Sequence, residues 1–366
     1  MTTSEFLSEW NNGSSTVNVH TSGSTGKPKQ MTVEKVRMTA SARMTCDFLN
    51  LHEGDTALLC MPVDYIAGKM MIVRSIERHM KLIEVTPSNH PLGSNTNCHI
   101  DFTAMVPSQI YETLKVPAER ERLARIRHVI IGGGAVSKEM QQELRSFPNA
   151  IWSSYGMTET LSHIALRRLS GNEATDWYTP MHGISLSLLN TESYGTNART
   201  NSAAIKKDND FKEITNIGQL IISAPHLCVG TLTTNDIAEL TADHRFRIIG
   251  RTDNVICSGG IKLHIEEIEE ALRPYIHLRY CITKQTDAKF GEIVVLLIEA
   301  DNKSPITTTL NTQEIFHAAL PRYSYPKKII HISRIPITPN GKIDRAAALQ
   351  IAKEEQHTTT ESENNG

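Results

Sequence analysis

The chain has few aromatic side chains, 5% of its 366 residues, and no excess of charge of either sign. Lys and Arg number 38 against 40 Asp and Glu, a formal net charge of −2. That balance gives no electrostatic argument for nucleic acid or an anionic membrane as partner. No apolar run approaches the roughly 20 residues of a membrane-spanning helix. The opening MTTSEFLSEWNNGSS has neither a basic stretch nor an apolar one, so it does not read as a secretory signal. Six cysteines are scattered without a C-x-x-C pair. This argues against a zinc ribbon or disulfide frame and predicts reduced thiols in a cytoplasmic protein. The 15 histidines include no H-x-x-x-H pair beside a carboxylate cluster, so no transition-metal site is expected. A Walker A loop is missing too, because Gly26-Lys27 is followed by Pro28.

What remains is ordinary globular material, 39% hydrophobic and 21% charged, long enough for two or three domains. Short apolar, β-branched runs occur at 56–63, 80–85, 99–107 and 127–134, and helical spacing lies between them at 33–50, 67–78 and 137–147. Strand alternating with helix predicts a layered α/β domain with a largely parallel sheet, its ligand crevice at the carboxyl ends of the strands. Residues 190–216 are polar and read as an exposed loop or hairpin insertion. Strand patterns resume at 218–224 and 246–250. After GRTDN (250–254) the content becomes that of a small α+β domain, and KEEQHTTTESENNG at the end reads as disordered.

Five stretches carry candidate chemistry. TSGSTGKPK, Thr21 to Lys29, has the small residues, hydroxyls and lysines to cradle a polyphosphate, and equally those of a polar surface loop. IIGGGAVS (130–137) ends a strand in three glycines, against which a flat ring could lie; a tight strand-to-helix turn would look the same. In SSYGMTET (153–160), Tyr155 could stack on a purine, Thr158 could bond a phosphate oxygen and Glu159 could hold Mg²⁺. Asp236 and Arg251 lie about one hairpin apart, and a carboxylate there could accept from ribose hydroxyls. Finally, PITPNGKIDR (336–345) presents Lys342 on a Pro/Asn/Gly turn, a mobile cation suited to a reacting phosphate.

Taken in order, from His20 to Arg345, these motifs resemble the adenylate-forming superfamily of acyl-CoA synthetases and related ligases. The resemblance implies a large layered α/β N-terminal domain, shortened at its N-terminus (1–251), and a small mobile α+β C-terminal domain (252–352), followed by a tail (353–366). It implies ATP, Mg²⁺ and coenzyme A as cofactors and co-substrates. Thr21, Ser22, Gly23, Ser24, Thr25, Gly26 and Lys29 would hold the β- and γ-phosphates. Gly132, Gly133 and Gly134 would line the adenine, with Tyr155 stacked on it beside Gly156. Thr158 would contact the α-phosphate, Glu159 the Mg²⁺, and Asp236 and Arg251 the ribose. Lys342 would act in adenylation, Asp253 as the hinge, and Gly260 of CSGGIK (257–262) beside the pantetheine tunnel during thioester formation.

Two departures stand out. The phosphate loop begins at Thr21, where the family usually has a long preceding region. Where many members read P-x-x-H-x-x-G, this chain has MPVDYIAGK (61–69), with Tyr65 at the histidine position. The helix that should wall the acyl pocket carries Lys69 and Arg74, two cations that suit a second carboxylate on the acid. With TETLSH (158–163), this resembles the o-succinylbenzoate–CoA ligase branch of menaquinone biosynthesis. There Arg74 would bind the aromatic carboxylate with Ser162 nearby, although His163 stands where that branch often has Gln. The alternatives are an acyl- or aryl-CoA synthetase for another acid, an adenylating enzyme that loads a carrier protein, and a nucleotide-binding sensor. Retention of Glu159 and Lys342 argues against the last.

Overall fold

The computed structural model describes residues 1–20, 30–93, 99–189, 216–299, 312–338 and 343–364. The chain divides into two compact units, Met1–Thr234 with Ala238–Arg247, and Asn235–Ile237 with Ile248–Gly366.

In the first unit α1 (Thr3–Trp10) is capped by Thr2, whose hydroxyl accepts from the Glu5 N–H while Glu5 returns a bond to the Thr2 N–H. β1 (Thr16–His20) and β2 (Gln30–Glu34) pair antiparallel, with His20 opposite Gln30, and α2 (Lys35–Phe48) follows. Next come β3 (Thr56–Leu59), α3 (Ile66–Glu77), β4 (Lys81–Glu84), β5 (Phe102–Met105), α4 (Pro107–Lys115), α5 (Pro117–Arg125), β6 (His128–Ile131), α6 (Lys138–Leu144), β7 (Ala150–Gly156), β8 (His163–Arg168) and β9 (Thr179–Pro180). These strands form a seven-stranded sheet of order β4-β3-β5-β6-β7-β8-β9. The first five run parallel; β8 and β9 are antiparallel to their neighbours.

Burial follows that order. TALL and HVII are buried after their first residue, as inner parallel strands covered on both faces are, whereas KLIE of β4 at the edge is half-buried to exposed. The expected strands and helices of this sheet are present, and the strands are shorter than the apolar runs. β3 stops at Leu59 ahead of Pro62, which has no N–H for a ladder, and β6 stops at Ile131 ahead of the glycines. α4 and α5 escaped the periodicity reading. Their signal is Pro107 and Pro117 at the first helical positions, which also resemble the end of an apolar run. β10 (Ser185–Leu189), β11 (Asn216–Ser223), β12 (Thr231–Leu240) and β13 (Phe246–Arg251) form a sheet in that order, and the boundary between units falls within β12 and β13. Most of the polar stretch 190–216 lies outside the described residues.

The second unit is built on β14 (Val255–Ser258), β15 (Ile261–His264), α7 (Ile265–Leu272), β16 (Tyr280–Asp287), β17 (Gly291–Glu299), α8 (Thr312–Ala319), β18 (Lys328–Ile332) and α9 (Arg345–Asn364). Its sheet runs β15-β14-β17-β16, with β18 parallel on β17. Adjacent residues of β17 enter different clusters. Val294 and Leu296 pack with Ile268, Leu272 and Phe316, while Val295 and Leu297 pack with Ile330, Ala348 and Ala352. Gly259 and Gly260, at φ +58° and +81°, make the two-residue turn between β14 and β15, so VICSGGIKLH is a hairpin. α9 also takes in residues 353–364, most of the stretch whose composition predicts disorder.

Phe102 is fully buried on an inner strand. Phe102→Ala should lower the unfolding free energy of the first unit by about 3–5 kcal/mol in urea denaturation, the cost of the lost burial and the cavity left behind.

Candidate active site

Parallel pairing brings strand ends together. Met105 pairs with Ile131, and Ile131 with Ser153, so the segments after β5 and β6 and the end of β7 emerge along one edge of the sheet. Gly132 donates its N–H to the Met105 carbonyl at 3.0 Å. A Cβ on Gly132 would lie 2.8 Å from Ser154 Oγ, which itself donates to the Ile131 carbonyl at 3.1 Å. Gly133 has φ +78°, a left-handed conformation that glycine adopts freely. The three glycines thus leave backbone on this edge without side chains. Tyr155 packs its ring 5.9 Å from Tyr178 and 5.1 Å from Phe246, centroid to centroid.

At Gly156 the register of β7 against β8 slips. A Cβ there would come within 2.5 Å of His163 Cα and closer still to the Ser162 carbonyl oxygen. The chain then turns through Thr158–Thr160, one turn of 3₁₀ helix. Thr160 Oγ1 accepts from the Met157 N–H at 3.1 Å and lies 2.8 Å from the Ser162 carbonyl. Leu161, buried, is forced to φ 64°, a conformation that costs a branched side chain about 1–3 kcal/mol. Thr158 is half-buried and Glu159 exposed. A single exposed carboxylate fits Mg²⁺ carried in by nucleotide phosphates, since that ion keeps several waters and takes one or two carboxylates. Among the described residues no group of three or more His, Cys, Asp or Glu could hold a metal.

α3 carries the two predicted cations, both buried. Five positions apart on a helix is about 140° of rotation, so they point to different neighbours. Lys69 Nζ donates to the Asn18 carbonyl at 2.7 Å, lies 3.9 Å from Glu9 Oε2 and sits 5.2 Å from the Phe6 ring centroid. The structure therefore commits Lys69 to the N-terminal segment and does not bring it together with Arg74. Arg74 Nη2 donates to Ser162 Oγ at 2.7 Å, its Nε is buried without a partner, and no described carboxylate forms an ion pair with it. Burial pushes its pKa down to about 10, which leaves it charged at neutral pH. Tyr65, at the N-cap of α3, is 40% exposed.

His163 and Thr45 complete this network, and spacing alone does not link them to it. His163 Nε2 is 3.1 Å from Thr45 Oγ1 and its Nδ1 is 3.3 Å from Ser162 Oγ. Burial, reinforced by the charge on Arg74, drives the His163 pKa well below its usual value.

In the second unit Arg251 holds two carboxylates. Nη1 donates to Asp236 Oδ1 at 2.9 Å, and Nε and Nη2 donate to the two oxygens of Asp253 at 2.8 Å each. The guanidinium holds Asp253 below the usual carboxylate range. Gly260 occupies the hairpin turn, exposed. Thr21, Ser22, Gly23, Ser24, Thr25, Gly26, Lys29 and Lys342 lie outside the described residues.

Residues 8–230 match the family described as AMP-binding enzyme. The chain belongs to the AMP-binding enzyme family. Among its relatives, the 2-succinylbenzoate–CoA ligase of Listeria monocytogenes is 25% identical over 93% of this chain and 71% of its own length. A linear gramicidin synthase of Brevibacillus parabrevis is 24% identical over 92% of this chain and 7% of its own length. Among solved structures, an acyl-CoA synthetase (AMP-forming)/AMP-acid ligase II-like protein from Dyadobacter fermentans superposes with TM-score 0.60 at 33% identity, covering 94% of this chain and 91% of that one. The o-succinylbenzoate CoA synthetase of Bacillus subtilis in complex with OSB-AMP has TM-score 0.68 at 20% identity, with 90% and 68% covered. The mixed α/β architecture of this AMP-binding enzyme is that of these acyl-activating neighbours.

Two outcomes are expected of the β7–β8 turn. Gly156→Ala must push Ser162 and His163 aside, so it should cost about 1–3 kcal/mol of stability and lower activity with it, read by thermal melts and pyrophosphate release. His163 is held neutral in the fold, so the unfolded chain takes up its proton first as pH falls below about 6.5. The His163 contribution to stability is therefore present above that pH and lost below it. In denaturant titrations, His163→Gln should flatten the stability loss between pH 6.5 and 5.

Proposed function

We propose that this AMP-binding enzyme is a cytoplasmic o-succinylbenzoate–CoA ligase of menaquinone biosynthesis, working through an acyl-adenylate. One observation carries the choice of acid: Arg74 is a buried cation with an unpartnered Nε and no described carboxylate of the protein paired with it. A buried charge without a counter-ion costs several kcal/mol, so a dicarboxylic acid that brings the missing carboxylate accounts for it. The name of the Listeria relative supports the same acid.

In the first half-reaction the succinyl carboxylate oxygen attacks the α-phosphorus of ATP. An O–P bond forms, the bond to the bridging oxygen breaks, and pyrophosphate leaves with the electron pair. Thr21, Ser22, Gly23, Ser24, Thr25, Gly26 and Lys29 hold the β- and γ-phosphates. Gly132, Gly133 and Gly134 leave room for the adenine, with Tyr155 and Gly156 at its face. Thr158 donates to the α-phosphate, Lys342 neutralises charge there and on the attacking carboxylate, and Asp236 with Arg251 takes the ribose. Glu159 would hold Mg²⁺, which supplies charge neutralisation on the phosphates. Transfer of this kind depends on positioning and electrostatics, which these groups provide. In the second half-reaction the smaller unit pivots at Asp253, and the Gly260 turn guides the pantetheine arm of coenzyme A. Its thiol adds to the acyl carbon, loses its proton and expels AMP. CSGGIK (257–262) is compatible with either thiol, which keeps a carrier-protein thiol as a second reading of the acceptor.

Arg74→Ala should raise the KM for o-succinylbenzoate by roughly 30-fold or more and leave the KM for ATP nearly unchanged. Wild-type enzyme that uses the analogue lacking the aromatic carboxylate equally well would refute the substrate assignment, and thioester mass with coenzyme A present identifies the acceptor. Lys342→Ala should lose adenylation by several orders of magnitude yet still form thioester from supplied acyl-adenylate; equal loss in both half-reactions would contradict the pivot.

A further inference from the structure

The side chains around Arg74 can be read as a directed chain of donors and acceptors. A guanidinium only donates, so in the 2.7 Å contact Ser162 Oγ must accept. The single Ser162 hydroxyl proton is then free to point at His163 Nδ1, 3.3 Å away. At the far end, fully buried Thr45 donates its own proton to the Ser41 carbonyl at 3.1 Å, one turn back on α2. Its oxygen is therefore the acceptor in the 3.1 Å contact with His163 Nε2. The Thr45 end thus puts the ring proton on Nε2 and leaves Nδ1 bare, the state in which the Ser162 hydroxyl proton finds an acceptor. The opposite tautomer would leave bare Nε2 facing a hydroxyl whose proton goes to the Ser41 carbonyl. Each link runs in one direction, from Arg74 through Ser162, His163 and Thr45 to the backbone of α2.

We infer that His163 is a positioning residue for acid recognition: as the Nε2–H tautomer it orients the Ser162 hydroxyl so that its oxygen takes one arm of Arg74 and turns the remaining guanidinium edge to the carboxylate of the substrate. The inference rests on the reading that Arg74 holds that carboxylate. The buried neighbourhood favours the neutral ring, since protonation would add a second cation beside Arg74. Without the link to Thr45 and α2, Ser162 would rotate freely and Arg74 would lose its anchor on the strained Leu161 turn.

The glutamine side chain offers the same pattern, an oxygen to accept from Ser162 and an N–H to donate to Thr45. A methionine offers neither at similar volume. Steady-state kinetics should therefore separate the two variants. His163→Gln should keep the KM for o-succinylbenzoate within about threefold of wild type, and His163→Met should raise it about tenfold, the scale of one misplaced hydrogen bond. Both should leave the KM for ATP unchanged. A structural role alone would lower active-enzyme concentration in His163→Met without moving the acid KM, and that result, alongside a raised KM in Arg74→Ala, overturns the inference. A second measurement needs no substrate. In protein labelled with ¹⁵N-histidine, the resonances that vanish in His163→Gln should report a protonated Nε2 and a bare Nδ1 at pH 7. A protonated Nδ1 overturns the relay whichever acid the enzyme uses, whereas an unchanged KM in Arg74→Ala overturns the substrate reading and not the tautomer.

Discussion

Burial of the Arg74 guanidinium is the constraint around which the larger unit organises its ligand edge. A cation taken out of water costs several kcal/mol unless hydrogen bonds and a counter-charge replace its hydration. Here one hydroxyl and no described carboxylate do so. Carrying that hydroxyl to the cation requires the 157–163 segment to double back on β7. The reversal in turn requires Gly156, where any side chain would strike the returning backbone, and it holds Leu161 at a positive φ. Thr160 binds both ends of the loop and offsets part of that strain. The same turn presents Thr158 and Glu159, so the Arg74 network and the residues proposed to face the nucleotide share one piece of backbone.

The two cations of α3 illustrate how a helix divides one composition between two tasks. Lys69 and Arg74 are both buried, but Lys69 gives its proton to a backbone carbonyl of β1 and lies near an acidic side chain of α1. It ties α3 to the strand that leads into Thr21. Arg74 faces the opposite way and retains an unsatisfied edge. In the second unit Arg251 behaves more like Lys69 than like Arg74, since its fork is already matched by Asp253 and Asp236.

Much of the fold was legible in the residues. TALL, FTAM and HVII are apolar enough to be inner parallel strands, and the helices between them carry their spacing openly. Two kinds of element were not. α4 and α5 begin on prolines that equally end a strand, and β15 is four residues squeezed between the Gly-Gly turn and the helix that follows. Of the candidate site, the order of the motifs singles out Thr21–Lys29, the glycines, Tyr155 to Glu159 and the Asp236–Arg251 pair as candidates, because each has particular residue types close together along the chain. Spacing could not separate Lys69 from Arg74, and it gave Thr45 no role.

By itself, then, the sequence determined the fold class and the family, since local spacing, composition and the order of the motifs encode these directly. Only the tertiary structure decided which cation is spent within the protein and which keeps an unpartnered Nε, that Arg251 is clasped by Asp253, and that Thr45, His163, Ser162 and Arg74, drawn from α2, α3 and the β7–β8 turn, form one directed network. The physical reason is that hydrogen bonding and desolvation depend on the neighbours a folded chain brings to a side chain, and those neighbours lie up to 118 positions apart in this network.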